Sequence, residues 1–319
     1  MSFKPIIIVA GEPNSIFFEL FFKVIKKKIR SPIILIASKK LIIKQAKILK
    51  TKINFSVTNE LDVIKKKNNL KKINLINVDF NQSSGFGKIT SKSNDYINLC
   101  FDIAIKLLKN KISNKLINGP ISKKNFLKKK FNGITEYLAE KTNTKKFAMI
   151  IYNKNLSVCP LTTHLPIKHV NKKINKLEIV NKVKLINNFW KKEFGKQLKI
   201  GVTGLNPHCE SNDSFNEDQK IILPTINKLK KLKYSIEGPF AADTIFLENN
   251  RKKFDLIIGM YHDQVLTPIK TLFEYDAINI TIGLPFIRIS PDHGPNESML
   301  GKNKSNRLSL LNSIKFLDF

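Results

Sequence analysis

The stretch FDLIIGMYHDQVLTPIK, Phe254–Lys270, decides the fold. Its first part, FDLIIG, is a continuous apolar run with the length of a buried strand. The residues that follow present a tyrosine, a histidine, a carboxylate, an amide and then a lysine. Polar groups at the end of a buried strand cost free energy unless something pairs with them. The stretch therefore predicts a strand that ends at a ligand-binding edge of a sheet.

Short apolar runs alternate with amphipathic segments along the rest of the chain. KPIIIVAG and SPIILIAS are typical of strands, whereas SIFFELFFKVIKKKI has the three-to-four apolar spacing of a helix. This alternation predicts an α/β fold with mostly parallel sheets. A chain of 319 residues has room for two domains, and no linker divides it. We therefore expect a discontinuous first domain, residues 1–125 with 285–319, and a second domain, residues 126–284.

Three local patterns give more specific expectations. Two β-rich runs flank Asn153 and Asn155 in FAMIIYNKNLSVCPLTTH, which predicts a hairpin. A long helix is expected from about Glu178 to Phe194. Pro224 lies inside the helical pattern NEDQKIILPTINKLKKL and predicts a kink or a break there.

The chain is strongly basic, with a net charge of +31 from 56 Lys and Arg against 25 Asp and Glu. The excess is mostly lysine spread along the whole chain, which is typical of a solvated surface. Arginine, which nucleic-acid interfaces prefer for bidentate contacts, is scarce. We therefore expect no nucleic-acid partner, although the positive field would concentrate small anionic substrates.

Cysteine usage and hydropathy indicate a cytoplasmic protein. Cys100, Cys159 and Cys209 are widely separated and have no zinc-finger or CxxC spacing, which favours a reducing compartment. No apolar run approaches the ~20 residues that span a bilayer, and the N-terminal apolar stretch is too short for a signal sequence. We expect no membrane partner.

Three of the five histidines follow predicted strands: His164 in PLTTHLP, His208 in GLNPHCE and His262 in MYHDQ. Loops beyond the carboxyl ends of parallel strands are where α/β sheets bind ligands. Three imidazoles arriving there could hold a divalent metal ion with positions left open for a substrate. A single histidine after a strand more often forms its hydrogen bonds within its own loop. The hypothesis of a metal site therefore depends on all three histidines having the same position after a strand. His169 is interpreted as a surface residue and His293 as a turn residue near the site.

Five motifs resemble, in order and spacing, the 4-hydroxythreonine-4-phosphate dehydrogenases of pyridoxal phosphate biosynthesis. The motifs are TTHLPIKHV, GLNPHCE, GPFAADTIF, YHDQVLTPIK and NITIGLPFIRISPDHG. The resemblance covers nearly the whole chain and is strongest from Thr162 onward. It implies a fold similar to isocitrate and isopropylmalate dehydrogenases, with the active-site cleft between two α/β domains.

The resemblance also implies the assembly, the metal and the reaction. The family forms a homodimer that shares its active sites, so the second domain would carry the dimer interface. His164, His208 and His262 would bind zinc, magnesium or cobalt, with one histidine from the partner subunit. The implied reaction is the NAD-dependent oxidation of 4-phosphooxy-L-threonine at its C3 hydroxyl, followed by decarboxylation to 3-amino-2-oxopropyl phosphate. No GxGxxG occurs, so NAD is expected from the resemblance alone and its contacting residues stay unknown.

Several further residues match functional positions of the family. Lys270, Asn279, Arg288 and Thr135 match its substrate-binding positions, and Arg288 stands out because arginine is rare here and its segment is mostly apolar.

Two carboxylates and a lysine are the catalytic candidates, namely Asp243, Asp263 and Lys270. Either carboxylate would orient a histidine or relay a proton. The alternative for Asp243 is a helix N-cap ahead of TIFLEN.

The chain departs from the family pattern at three places. Ile134 stands where the family has a substrate-contacting histidine, and Ser15 and Phe17 replace glycines of the N-terminal motif. Cys209 follows a proposed ligand, but adjacent residues of an extended segment point oppositely, so we do not expect a fourth ligand.

These departures leave two other functions open. The first is a dehydrogenase for another phosphorylated hydroxy acid, such as a four-carbon sugar-acid phosphate. The second, from a different class, is a basic nucleic-acid-binding protein on a degenerate enzyme scaffold that takes up no metal.

Overall fold

The computed structural model describes residues 3–66, 70–127 and 130–319. The strands are β1 Ile6–Val9, β2 Ile33–Ala37, β3 Ser56–Thr58, β4 Ile73–Asn77, β5 Lys115–Asn118, β6 Ala148–Tyr152, β7 Ser157–Thr162, β8 Ile200–Thr203, β9 Ile236–Phe240, β10 Leu256–Tyr261, β11 Ile278–Ile282 and β12 Ile287–Pro291. The α-helices are α1 Phe17–Val24, α2 Lys39–Ile48, α3 Glu60–Ile64, α4 Asn94–Lys109, α5 Ile134–Lys141, α6 Val170–Lys173, α7 Lys176–Phe194, α8 Leu223–Lys231, α9 Glu248–Arg251, α10 His262–Phe273 and α11 Leu308–Leu317.

The chain forms two compact units. Unit 1 is Met1–Asn143 with Leu284–Phe319, and unit 2 is Thr144–Gly283. Residues 126–143, which we expected in the second domain, belong to unit 1 because α5 packs there. The Tyr137 ring of α5 lies 5.5 Å from the Phe101 ring and 5.3 Å from the Phe126 ring.

Unit 1 contains six parallel strands in the order β3-β4-β2-β1-β5-β12. The central strands are almost entirely isoleucine, leucine and valine, and Ile6–Val9 and Ile33–Ala37 are fully buried. Such runs are typical of strands that helices cover on both faces. Helix α4 packs on β1 and β2, and α11 packs on β5 and β12.

Unit 2 contains six strands in the order β11-β6-β7-β10-β8-β9. Strand β6 runs antiparallel to both of its neighbours, while β7, β10, β8 and β9 are parallel. The predicted hairpin is confirmed, since β6 and β7 pair through Ile151 and Val158. The side-chain oxygen of Asn153 accepts the backbone N–H of Asn155 at 2.9 Å and shapes the turn. The α/β fold class with mostly parallel strands is therefore confirmed.

The prediction of a long helix in unit 2 is confirmed as well. Helix α7 covers the predicted range and packs on β6, β7 and β11. The chain is not broken at Pro224, because helical backbone continues from a π-helical turn, Asp218–Ile222, directly into α8; the expected irregularity takes the form of this π-helical turn just before the proline. Proline has no N–H to donate, and π-helical turns and prolines are both common sites of irregular winding in a helix.

No helix in the described ranges has the length and hydropathy needed to cross a membrane.

Helix α7 provides a test of local stability at two asparagines. Asn175 is its N-cap and accepts the Glu178 backbone N–H at 3.0 Å, whereas Asn188 is exposed in its interior. We expect Asn175→Ala to lower the free energy of unfolding by about 1 kcal/mol. Asn188→Ala should raise it by about 0.5 kcal/mol, because alanine is the better helix former. Urea unfolding followed by circular dichroism measures both, and equal effects of the same sign would contradict the N-cap role.

Candidate active site

Three neighbouring strands of unit 2 bring the predicted metal histidines to one edge. Strands β7, β10 and β8 are adjacent and parallel, with Tyr261 in register with Thr162 and Ile258 with Val202. Their carboxyl ends therefore lie side by side. His164, His262 and His208 follow these three ends, as the sequence predicts.

His164 and His262 are in contact distance of each other. Their ring centroids are 5.7 Å apart, and the ring planes are inclined by 36°. The strands that carry them are joined at this point, because the Thr162 hydroxyl donates to the Met260 carbonyl at 2.8 Å. The side chains of both histidines are accessible to a ligand, His164 being exposed and His262 half-buried.

Asp263 orients the ring of His262. His262 is the first residue of α10, and its Nδ1 lies 2.6 Å from Oδ1 of Asp263. A neutral imidazole that donates through Nδ1 presents the lone pair of Nε2 outward. This carboxylate–histidine arrangement commonly fixes the tautomer of a metal ligand. Asp263 thus has the orienting contact that the sequence analysis expected of it.

His208 lies in a tight turn, Pro207–Cys209, that follows β8. His208 and Cys209 both have left-handed backbone, with φ of 55° and 62°, which costs about 1 kcal/mol per residue. The His208 side chain is exposed while Cys209 is buried. Burial raises the pKa of the Cys209 thiol, which therefore stays protonated at neutral pH. The expectation about Cys209 assumed an extended segment, which is wrong because both residues have left-handed backbone; the two side chains nevertheless differ in burial.

Imidazole nitrogens are suitable ligands for a divalent metal ion. A single chain, however, brings only two of the three proposed histidine ligands together. Neutral imidazoles suit zinc and cobalt, and two of them stand side by side at 5.7 Å. Within the part of the chain that the structure describes, no three His, Cys, Asp or Glu side chains are close enough to hold a metal ion. His208 therefore does not complete a three-histidine cluster with His164 and His262 of its own chain.

Two predicted substrate residues lie elsewhere in unit 2. Lys270 is a half-buried residue of α10, and Asn279 is a half-buried residue of β11. Among the described residues, Oδ1 of Asn279 has no hydrogen-bond partner although it is buried. A buried acceptor without a partner costs about 1–3 kcal/mol. Asn279 is thus suited to accept a hydrogen bond from a ligand.

Asp243 is exposed, in a run of turns after β9. The N-cap alternative for this residue is wrong, because α9 begins only at Glu248 and Leu247 is its N-cap. The next residues form turns rather than a helix, so the Asp243 carboxylate has no helix N-terminus to cap.

The other two predicted substrate residues lie together in unit 1. Arg288 of β12 is fully buried. Its Nε donates to Oδ1 of Asn118 at 2.7 Å, and its Nη1 donates to the Thr135 hydroxyl at 3.3 Å. Burial lowers the pKa of the Arg288 guanidinium to about 9, which the nearby Glu136 carboxylate opposes. The group remains cationic at neutral pH, so unit 1 holds a buried positive charge at this position.

Sequence reasoning missed Asn118, which holds the Arg288 guanidinium. The signal was present, since Asn118 ends β5 in the run KLINGP, the same strand-end context that identified the histidines. Ile134 is the first residue of α5 and is half-buried next to Thr135. It offers no polar group where the family has a histidine.

Ser15 and Phe17, which stand at the two replaced glycine positions of the N-terminal motif, both have packed side chains. The Ser15 hydroxyl donates to the Glu12 carbonyl at 2.7 Å and accepts the Phe17 backbone N–H at 3.3 Å. The Phe17 ring is buried and stacks on Phe21 with centroids 6.0 Å apart. This turn is therefore closed by its own side chains.

The remaining histidines take no part in this cluster. His169 is exposed at the end of a short 3-10 turn, as expected of a surface residue. His293 follows β12 in unit 1, where its Nδ1 lies 3.0 Å from the Gly294 carbonyl. Burial lowers the pKa of His293, which favours the neutral ring.

Comparison with known proteins identifies the family. A 4-hydroxythreonine-4-phosphate dehydrogenase of Sulfurihydrogenibium sp. (strain YO3AOP1) is 37% identical, over 97% of this chain and 95% of that protein. A D-threonate 4-phosphate dehydrogenase of Pectobacterium atrosepticum is 33% identical over 58% of this chain and 57% of its own. The crystal structure of 4-hydroxythreonine-4-phosphate dehydrogenase from Klebsiella pneumoniae superimposes with a TM-score of 0.83 and 26% identity, covering 98% of both chains. The family model of pyridoxal phosphate biosynthetic protein PdxA matches residues 28–317, and the chain belongs to this family.

Proposed function

We propose that this chain is a cytoplasmic, NAD-dependent 4-hydroxythreonine-4-phosphate dehydrogenase. It would oxidise the C3 hydroxyl of 4-phosphooxy-L-threonine, and the resulting β-keto acid would lose carbon dioxide to give 3-amino-2-oxopropyl phosphate. The relatives of that name, at up to 37% identity over nearly the full chain, support this activity. The three cysteines are free and buried, which is typical of a reducing compartment.

One observation carries the proposal: the imidazoles of His164 and His262 meet at the carboxyl ends of adjacent parallel strands. These two residues and His208 are the proposed metal ligands. A bound divalent ion lowers the pKa of a coordinated alcohol and stabilises the oxygen as it becomes a carbonyl. Zinc, magnesium and cobalt all supply this chemistry.

The chain's own residues bind and orient the substrate. Asp263 holds the His262 ring, so that its Nε2 faces outward. Lys270 supplies positive charge for an anionic group of the substrate, and Asn279 has a buried oxygen suited to accept a hydrogen bond from it. Asp243 and Asp263 are the carboxylates proposed to move a proton, and Lys270 is proposed to assist them.

Thr135 and Arg288 would bind the substrate from unit 1. Their mutual hydrogen bond and the Asn118 contact hold the guanidinium in one orientation. A buried, preorganised arginine favours an anionic partner such as a phosphate or a carboxylate.

NAD accepts the hydride in the proposed reaction. A polar cavity of about 590 Å³ in unit 1 suits one end of a dinucleotide. Its lining includes Asn14, Ser93, Lys88 and Lys92, together with the carboxylates of Asp79 and Asp95. Amides, hydroxyls and ammonium groups of this kind bind ribose and phosphate oxygens.

The incomplete ligand set of a single chain supports a homodimer with shared active sites. Two imidazoles meet within one chain, and within the described ranges no third ligand joins them. A second copy would supply it, as is common when symmetric oligomers build sites from two subunits.

A second candidate function is the oxidation of D-threonate 4-phosphate, a four-carbon sugar-acid phosphate. Ile134 favours it, because this residue cannot make the polar substrate contact of the 4-hydroxythreonine-4-phosphate enzymes. The relative of that name is 33% identical over 58% of this chain. The basic nucleic-acid-binding alternative has no comparable observation in its favour.

The two substrates can be separated by steady-state kinetics. We expect kcat/KM for 4-phosphooxy-L-threonine to exceed that for D-threonate 4-phosphate by at least about tenfold, since a site built to hydrogen-bond one substituent rejects its replacement. The variant Ile134→His, which restores the family residue, should lower KM for the preferred substrate with little change in kcat. The reverse preference in the wild type would establish the second candidate instead.

Shared sites predict recovery of activity in mixtures of inactive variants. His164→Ala, His208→Ala and His262→Ala should each lose most activity and stoichiometric metal. After subunit exchange, two of the three pairwise mixtures should regain about one quarter of wild-type activity, because half of the dimers are mixed and each has one intact site. The mixture that stays inactive identifies the two histidines that act from one chain.

Each variant exchanged with itself is the control for the mixtures. The absence of recovery in every mixture would contradict the shared site. Full activity of metal-free protein in the presence of a chelator would contradict the metal-assisted reaction itself.

A further inference from the structure

Gln264 joins the ends of β8 and β10, the strands that precede His208 and His262. Its Oε1 accepts the Met260 backbone N–H at 2.7 Å and the Thr203 hydroxyl at 2.8 Å. Its Nε2 donates to the Gly204 carbonyl at 2.7 Å. One carboxamide therefore continues the hydrogen bonding between the two strands at the point where β8 leaves the sheet.

Asp218 holds the chain between β8 and His208. It is fully buried, and its Oδ1 accepts the Leu205 backbone N–H at 2.7 Å. Its Oδ2 accepts the backbone N–H of Asn206 at 3.1 Å and the Asn206 side-chain amide at 3.0 Å. The buried carboxylate thus determines the direction in which the chain enters the His208 turn.

Two glycines make room for these side chains. A Cβ on Gly204 would lie 2.6 Å from Oδ1 of Asp218, and a Cβ on Gly259 would lie 3.0 Å from Oε1 of Gln264 and 2.3 Å from Cγ1 of Val265. Distances under 3 Å are below van der Waals contact. The backbone at both positions is therefore shaped around Asp218 and the first turn of α10.

The contacts bear on the proposed metal site because the His208 turn is strained. Left-handed conformation at two successive non-glycine residues persists only where the surroundings determine it. Asp218 anchors both of the residues that precede Pro207, Leu205 and Asn206, and Gln264 ties the same strand end to the strand that carries His262. Without these contacts the turn can relax and the His208 ring can leave its position.

We propose that Gln264 and Asp218 are positioning residues that hold His208 at a set place beside the end of β10. The proposal rests on the proposed function, in which His208 and His262 are metal ligands. Residues of this kind act through the ligands and contact no substrate. Their loss typically weakens metal binding by about 10- to 100-fold.

The first test is metal affinity rather than activity. Co²⁺ is titrated into metal-free full-length protein and followed by its d–d absorption. Asp218→Asn and Gln264→Glu keep the size of each side chain, but the first loses an acceptor and the second loses the donor to Gly204. We expect both variants to bind Co²⁺ about 10- to 100-fold more weakly than the wild type.

Asp255→Asn is the matched control. Asp255 accepts the Lys199 backbone N–H at 2.8 Å and the Lys196 ammonium at 2.7 Å, at the amino-terminal end of β10. It joins the same two strand segments at the edge opposite to the histidines. This variant should lose thermal stability and keep wild-type Co²⁺ affinity. Wild-type affinity in Asp218→Asn and Gln264→Glu, or an equal loss in Asp255→Asn, would overturn the proposal.

A second measurement needs no metal. ¹H–¹³C spectra of the histidine rings in metal-free protein should show the His208 signal shifted or broadened in Asp218→Asn and Gln264→Glu. The signal of His169, on the exposed surface, should stay unchanged. An unchanged His208 signal would overturn the positioning role. If the wild type binds no Co²⁺, the metal-assisted function fails, and these spectra still decide whether the two side chains hold the ring.

Discussion

The parallel register of β7, β10 and β8 is the constraint on which the candidate site depends. Parallel neighbours end at the same edge, so residues that follow them in sequence by one to five positions are brought together although they are far apart along the chain. His164 and His262 meet because Thr162 pairs with Tyr261. A shift of one residue in this pairing would turn every side chain of the strand to the opposite face. The relative position of His164 and His262 therefore depends on the apolar core that fixes the register of these strands.

Unit 1 also contains a polar group within an apolar strand, the guanidinium of Arg288. Arg288 is the largest fully buried side chain described, and its charge is costly to remove from water. Two neutral acceptors, from Asn118 and Thr135, and the nearby Glu136 carboxylate offset part of this cost. A cation held in this way keeps a single orientation. Unit 1 thus satisfies the buried charge of β12 with side chains from the end of β5 and from α5, whereas the buried Oδ1 of Asn279 in unit 2 has no partner among the described residues.

Much of this arrangement could be predicted from sequence because it follows from periodicity and from strand ends. The apolar runs before His164, His208 and His262 identified the strands, and the Asn153 turn identified a hairpin, whereas Pro224 marks a π-helical turn rather than a helix break. The domain boundary was misplaced, because the packing of Tyr137 on Phe101 and Phe126 joins segments that are distant in sequence. Local patterns contain no such information.

The supporting contacts were the hardest to foresee. Asp218 lies in NEDQK, a run that looks like the polar face of a helix, yet it is fully buried. Gln264 was visible in the YHDQ motif but its partners, Thr203 and Gly204, come from another strand. Burial and partner choice depend on tertiary contacts, whereas residue type alone indicates only that a polar group needs a partner.

The tight fit of Asp218 against Gly204 and of the α10 first turn against Gly259 has an evolutionary consequence. A side chain gained at position 204 would clash with the Asp218 carboxylate and the Cys209 sulfur, and one gained at 259 would clash mainly with Val265 in the first turn of α10. A substitution of either glycine therefore requires a change in its neighbours, whereas a change in the neighbours does not require loss of the glycine. Lineages that keep Asp218 and Val265 should keep both glycines even where the surface around them diverges.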